Sequence, residues 1–164
     1  MNHRIESLVR QWQEVQEGPN WVDENFKKKL DTLSEDQAFQ RPIADVHSVA
    51  ELLSHLLVWR REAIQRLNGM DRQLWMNSPE NWRTNDELKA IGWESLKADF
   101  YKSQQELIAL VGRQADRYLE NIYSDGYPYW YLIEGLIHHD FYHLGQLGIT
   151  VKLLQKTTSE ARGD

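Results

Sequence analysis

The N-terminal part of the chain carries a hydrophobic stripe with helical spacing. Its apolar positions step by three or four residues, which places them on one face of an amphipathic helix; they are Ile5, Leu8, Trp12 and Val15. Gly18-Pro19 ends the pattern, because a residue that precedes proline is pushed out of helical geometry. A shorter apolar pattern over residues 22–33 predicts a short helix that continues or kinks from the first.

Three further stripes predict long helices. The clearest begins at Ser48, which forms a capping-box pattern with Glu51, and ends at Asn68-Gly69, a pair typical of a helix C-cap. Another runs from Trp93 to Gly112. The last begins near Pro128, because proline lacks an amide hydrogen and the first turn of a helix does not use one. The inner stripe of this last helix includes two histidines; its members are Leu132, Leu136, His139, His143, Leu147, Thr150 and Leu154.

These patterns predict an all-α protein, a four-helix bundle with an additional short helix. We expect one domain over residues 1–164, with a polar connection at residues 34–45 and a frayed tail at residues 155–164. The segment 70–86 is rich in Asn, Trp and Arg. It is longer than most connections in a compact domain, and such segments often form lids or binding walls.

Composition narrows the class of partner. The net charge of −6 argues against nucleic acid, because duplex-binding proteins usually carry a basic face. There is no cysteine, which excludes a disulfide framework, a thiolate metal site and a cysteine nucleophile. The sequence also contains no apolar run long enough to span a bilayer. We therefore expect no nucleic-acid or membrane partner and a cytoplasmic location.

His139 and His143 are the first candidates for chemistry. They are four residues apart on the inner stripe of the last helix, so their imidazoles lie on one face. An imidazole buried there needs a hydrogen bond, a charge partner or a metal, because an unpaired buried polar group is costly. The HxxxH spacing alone leaves a metal site and a pair of ordinary core histidines equally open.

His55 favours the metal site. It lies on the flank of the inner face of the Ser48 helix, so three imidazoles converge if this helix packs against the last one. Three protein ligands with an open position are typical of a catalytic metal site, whereas structural zinc sites use four. We expect zinc or nickel, and the residue pattern leaves iron and copper open. Of the other histidines, His138 suits an outer or surface role and His3 a solvated one; His47 is predicted in the loop before Ser48, and a contribution of His47 near the helix end stays open.

Metal-bound imidazoles usually donate their second nitrogen to a carboxylate, carbonyl or amide oxygen. Three residues close in sequence to the histidines are candidates for that role: Gln146, Glu51 and Asp140. A carboxylate-bridged di-iron bundle is rejected, because it needs Glu-x-x-His pairs and the sequence contains none.

Two motifs resemble the DinB-like superfamily. One is HSVAELLSHL at residues 47–56 with Trp59 following, and the other is GLIHHDFYHLGQ at residues 135–146. The segment Gly18–Trp21 is similar to a subgroup of these proteins. The resemblance covers nearly the whole chain. It implies a four-helix bundle, a homodimer, and a three-histidine divalent metal site with His55, His139 and His143 as ligands.

The resemblance also implies a reaction class. The superfamily includes bacillithiol S-transferases and mycothiol-dependent maleylpyruvate isomerases, in which a metal would activate a low-molecular-weight thiol for attack on a small electrophile. The sequence thus favours a divalent-metal-dependent enzyme, S-transferase-like or hydrolase-like, whose thiol and substrate it does not specify. Two alternatives stay open: a dimeric bundle that binds a metal or small ligand without turnover, and a structural dimerising bundle with polar core histidines.

Overall fold

The computed structural model describes residues 3–162, with side chains for residues 3–156. Helices form seven segments of this part, which are α1 His3–Gln16, α2 Phe26–Leu30, α3 Glu35–Phe39, α4 Val49–Leu67, α5 Asn85–Ile91, α6 Trp93–Gly112 and α7 Tyr129–Arg162. Two 3-10 turns, Pro79–Trp82 and Asp116–Glu120, lie in the connections. The all-α prediction is confirmed, with three short helices rather than one beside the four long ones.

Helix α4 begins and ends where the sequence predicts. The Ser48 hydroxyl accepts a hydrogen bond from the Glu51 amide at 3.1 Å, and the Glu51 carboxylate accepts one from the Ser48 amide at 2.8 Å. Asn68 follows the last turn, and Gly69 then adopts a positive φ of 82°. Only glycine reaches that conformation without steric cost, so the chain leaves the helix there.

Two short helices were not predicted: α3 falls in the predicted polar connection, and α5 begins at the end of the predicted loop and continues to Ile91. Helix α3 has a capping box formed by Ser34 and Gln37, and α5 has one formed by Thr84 and Glu87. Each helix is too short for its apolar residues to show a helical period, so only the capping pattern marks it. Because these helices occupy part of them, two predicted connections are shorter in the structure: the polar connection at residues 34–45 and the loop at residues 70–86.

Helix α7 begins directly after Pro128, as predicted, and it is the longest helix in the described residues. Its helical backbone extends to Arg162, while the side chains of the predicted frayed tail lie mostly outside the described residues. In the part of the chain that the structure describes, no helix combines the length and apolar character needed to cross a bilayer.

Arg60 and Asp140 form an ion pair that is fully buried between α4 and α7. The guanidinium donates to the carboxylate through Nη2 at 2.7 Å and through Nε at 3.3 Å, and both side chains are 0% exposed. Arg60 also lies over the Phe100 ring of α6 at 3.9 Å and over the Phe26 ring of α2 at 5.5 Å. Four helices therefore meet at this guanidinium.

We expect removal of one partner of this pair to destabilise the bundle strongly. Asp140→Ala leaves Arg60 charged and unpaired in the core, which should lower the free energy of unfolding by about 3–5 kcal/mol. The double variant Arg60→Met/Asp140→Leu removes both charges, so it should recover most of that loss. Urea denaturation followed by circular dichroism measures the free energy of unfolding of the single and the double variant.

The exposed pair between Arg61 and Asp99 provides the control. Its N–O distance is also 2.7 Å, but both side chains are about half exposed. Asp99→Ala should therefore cost less than about 1 kcal/mol. If Asp140→Ala and Asp99→Ala lower the free energy of unfolding equally, burial does not make the Arg60–Asp140 pair more important for stability, and the prediction is wrong.

Candidate metal centre

Three histidines converge between α4 and α7. His55 comes from α4, and His139 and His143 come from successive turns of α7. One ring nitrogen of each lies within 4.8 Å of the other two, and the His55 and His139 Nε2 atoms are 3.0 Å apart. The predicted convergence of these three residues is therefore present in the structure.

The spacing of the three nitrogens is compatible with a divalent ion. Tetrahedral bonds of about 2.1 Å, the usual length for zinc and imidazole, would separate the nitrogens by about 3.4 Å. That separation lies between the shortest distance, 3.0 Å, and the 4.8 Å limit of the cluster. The structure thus contains a group that could hold a metal.

The surroundings keep the three imidazoles neutral. His55 and His143 are buried and His139 is half-buried. Burial lowers the pKa of His139 to about 3 and that of His143 to about 4, and neighbouring imidazoles add to each shift. Burial also lowers the pKa of His55. Near pH 7 each ring therefore has one nitrogen with a free lone pair, which a metal requires.

Two oxygen acceptors orient two of the rings. The carbonyl oxygen of Asn81 lies 3.0 Å from His55 Nδ1, and the Gln146 side-chain oxygen lies 2.6 Å from His143 Nδ1. An oxygen acceptor requires a hydrogen on Nδ1, so the Nε2 lone pair of each ring is left for the centre of the cluster. Gln146, a candidate outer partner from sequence, therefore contacts a histidine of the cluster.

The other two candidate outer partners form no hydrogen bond with the three histidines of the cluster. The Glu51 carboxylate caps α4 and accepts a hydrogen bond from Arg41 at 3.0 Å. The Asp140 carboxylate is held by Arg60 on another side of α7, because a residue adjacent to His139 is rotated by about 100° around the helix. Glu51 and Asp140 are therefore close to the clustered histidines in sequence but form hydrogen bonds with other residues.

The 3-10 turn at Pro79–Trp82 supplies contacts to His55 and Trp59 that were not predicted from the sequence. The ring of Trp82 stacks on His55 at 4.0 Å, and His47 lies at 4.0 Å from the same tryptophan ring. The Asn81 side chain accepts from Trp59 Nε1 at 2.8 Å and donates to the Met76 carbonyl at 2.8 Å. Only the Asn- and Trp-rich composition of the loop hinted at this role.

The other three histidines lie outside the three-histidine cluster. His138 and His3 are exposed. His47 approaches Glu51 at 3.5 Å in addition to its contact with Trp82. Neither interaction brings it into the group that could hold a metal.

A cavity of about 560 Å³ opens beside the three histidines. Its walls are mainly aromatic and aliphatic side chains of α4, of α7, of the loop between α4 and α5, and of the connection that precedes α7, namely Trp59, Ala63, Met76, Trp82, Tyr123, Tyr131, Leu132, Leu136 and Tyr142. Glu62 and Arg66 also line the cavity, and they form a salt bridge in which Arg66 Nε lies 2.8 Å from Glu62 Oε1. A cavity of this size can hold a small organic molecule.

The fold and the histidine cluster agree with the result of a family comparison. Residues 20–147 match the DinB superfamily, so the chain belongs to that superfamily. A solved structure described as a conserved protein from Enterococcus faecalis is similar in fold, with a TM-score of 0.61 and 14% sequence identity. The alignment covers 94% of this chain and 95% of that one. A comparison with curated protein sequences found no match.

The lowered histidine pKa values predict that acid destabilises the metal-free protein. Above the ordinary pKa of 6.5 the rings are neutral in both the folded and the unfolded states. As the pH falls from about 6.5 toward 4, the unfolded chain binds protons that the folded chain does not, so stability is lost. At pH 5 each fully shifted histidine should cost about 1–2 kcal/mol.

The variant His139→Asn isolates this effect from other titrating groups. It removes the ring with the most strongly lowered pKa, so its stability should fall less between pH 7 and pH 5 than that of the wild type. Urea denaturation of chelator-treated protein at the two pH values measures the difference. Identical pH dependence in the two proteins would contradict the prediction.

Proposed function

We propose that this protein is a divalent-metal-dependent enzyme that activates a thiol or a water molecule for attack on an electrophile. The convergence of His55, His139 and His143 beside an aromatic-walled cavity supports this proposal. The group contains three nitrogen donors, and a structural zinc site normally uses four protein ligands. A three-ligand site leaves a coordination position for a reactant.

We assign the three imidazoles as the ligands, with zinc or nickel as the ion. A divalent ion bound there would act as a Lewis acid and lower the pKa of a thiol or water molecule at the open position. The protein would supply neutral imidazoles, because burial prevents their protonation near pH 7. The Asn81 carbonyl and Gln146 would hold the rings in the required tautomer.

The cavity walls would serve the reaction in two ways. The stacked Trp82 ring covers one face of His55 and restricts access of bulk water to it. The apolar side chains would hold the carbon skeleton of an electrophile next to the open position. We place thiol transfer ahead of hydrolysis, since the resemblance to the S-transferases of this superfamily concerns the segments that carry the histidines.

Metal analysis of purified protein tests the ligand assignment. After reconstitution with zinc or nickel, we expect about one ion per chain by mass spectrometry. His55→Ala, His139→Ala and His143→Ala should each weaken metal affinity beyond the roughly 100-fold that loss of an outer partner can cost. His138→Ala is the matched control, because His138 lies next to His139 in the sequence and is exposed.

Turnover assays test the reaction class. Metal-loaded protein should consume thiol and an aryl halide together, or hydrolyse an aryl ester, and His143→Ala should abolish the activity. Wild-type protein that holds no stoichiometric metal after reconstitution would overturn the proposal. Stoichiometric metal with no turnover across thiols, aryl halides and esters would instead support a metal-binding bundle that binds ligands without catalysis.

A further inference from the structure

Asn81 makes three hydrogen bonds that join the loop after α4 to α4 itself. The residue lies in the Pro79–Trp82 turn and is almost fully buried, with 1% of its surface exposed. Its amide oxygen accepts from Trp59 Nε1 at 2.8 Å, and its amide nitrogen donates to the Met76 carbonyl at 2.8 Å. Its backbone carbonyl oxygen lies 3.0 Å from His55 Nδ1. The side chain and the carbonyl of one residue thus contact different groups around the histidine cluster.

The two side-chain contacts of Asn81 require an amide. The Trp59 indole only donates, so it needs an acceptor, whereas the Met76 carbonyl only accepts, so it needs a donor. An aspartate would place a second oxygen against the Met76 carbonyl, and an alanine would make neither contact. A buried polar group that loses its partner is costly, so the amide favours one position of the turn.

The neighbouring Trp82 restrains His55 in a different way. Its ring lies 4.0 Å from the rings of His47 and of His55 and is nearly parallel to both. Two parallel rings at that distance would overlap on one face, so His47 and His55 cover opposite faces of the indole. Stacking fixes the plane of the His55 imidazole but does not distinguish its two nitrogens. A hydrogen-bond acceptor at Nδ1 does distinguish them.

We propose that the side chain of Asn81 is a positioning residue for His55. The amide, held by Trp59 and Met76, keeps the Asn81 carbonyl at His55 Nδ1, so the hydrogen stays on Nδ1 and the Nε2 lone pair faces the cluster. Trp59 and Met76 also line the cavity, so the same amide fixes part of its wall. The consequence for metal binding rests on the proposed function, whereas the consequence for the His55 tautomer does not.

Nuclear magnetic resonance of the metal-free protein tests the tautomer. Long-range proton–nitrogen correlation spectra distinguish a hydrogen on Nδ1 from one on Nε2, and the signals that disappear in His55→Ala identify His55. We expect the hydrogen on Nδ1 in the wild type and a shift toward the Nε2 tautomer in Asn81→Ala. A His55 tautomer that is the same in both proteins would overturn the proposal.

Competition with a chromophoric chelator tests the consequence for zinc. Loss of a group that orients a metal-bound imidazole costs about 10–100-fold in affinity, so Asn81→Ala should bind zinc at least about tenfold more weakly than the wild type. Glu80→Ala is the matched control, because Glu80 is the preceding residue of the same turn and is exposed. Its zinc affinity should equal that of the wild type. Equal affinities of Asn81→Ala and Glu80→Ala would contradict the proposal.

A second variant leaves Asn81 in place. Trp59→Phe removes the indole N–H that holds the Asn81 amide oxygen, so it should also weaken zinc binding, to a smaller extent. The double variant Trp59→Phe/Asn81→Ala should bind zinc no more weakly than Asn81→Ala, because both changes break one link. If the two losses multiply instead, Trp59 acts independently of Asn81, and the link between them is wrong.

Cobalt-loaded protein separates positioning from a general loss of stability. The visible absorption of bound cobalt(II) depends on the number and geometry of its ligands. At saturating cobalt, the bands of Asn81→Ala should therefore differ from those of the wild type, and the bands of Glu80→Ala should not. Wild-type bands in Asn81→Ala would show that the amide does not position His55.

The failures of the two proposals are distinguishable. If the wild type binds neither zinc nor cobalt stoichiometrically, the proposed function fails, and the comparison of tautomers still decides the role of Asn81. If metal binds but Asn81→Ala changes neither the His55 tautomer nor the zinc affinity, the role of Asn81 fails and the metal site stands.

Discussion

The buried ion pair between Arg60 and Asp140 determines how α4 and α7 lie against each other. Asp140 directly follows His139 in α7, and Arg60 lies between His55 and Arg66 in α4. A small shift of either helix would break a bidentate contact that has no water to replace it, so the pair holds one register. That register brings His55 to the α7 histidines and aligns the two helices along the cavity.

The loop between α4 and α5 completes the site because it is fixed at both ends. Near its start, the two carboxylate oxygens of Glu62 accept hydrogen bonds from the backbone amides of Gln73 and Leu74, each at 3.1 Å. Near its end, the Asn81 carbonyl reaches His55 and the Trp82 ring covers it. The orientation of His55 is therefore established by the fold, which is the pre-organisation that a metal site requires.

The predictable parts of the fold and the site are those that follow from helical period and capping. The Ser48 cap, the Pro128 start and the inner-face positions of His139 and His143 each depend on residues a few positions apart, and each was predicted. His55 could be added because its face of α4 was predicted, although its partner helix had to be assumed. The three-histidine cluster therefore followed largely from local pattern.

The contacts that were not predicted join residues far apart in the sequence, or involve a side chain that binds a different partner from the expected one. Asn81 is twenty-six residues from His55, and no periodic pattern specifies how a loop returns to a helix. Asp140 was misassigned because its bond to Arg60 spans eighty residues, and Glu51 because its capping role and Arg41 together occupy its carboxylate. The contact of Glu51 with Ser48 was itself predicted from the capping pattern, whereas Arg41 and Arg60 could be identified as partners only from the tertiary structure.

A crystal structure of the metal-loaded protein, with anomalous diffraction data at the absorption edge of the metal, tests the three-histidine assignment directly. We expect one ion bound by the Nε2 atoms of His55 and His143 and by a ring nitrogen of His139, with a non-protein ligand at the remaining position facing the cavity. An ion with four protein ligands, an ion elsewhere, or three histidines hydrogen-bonded to one another in metal-saturated crystals would contradict it.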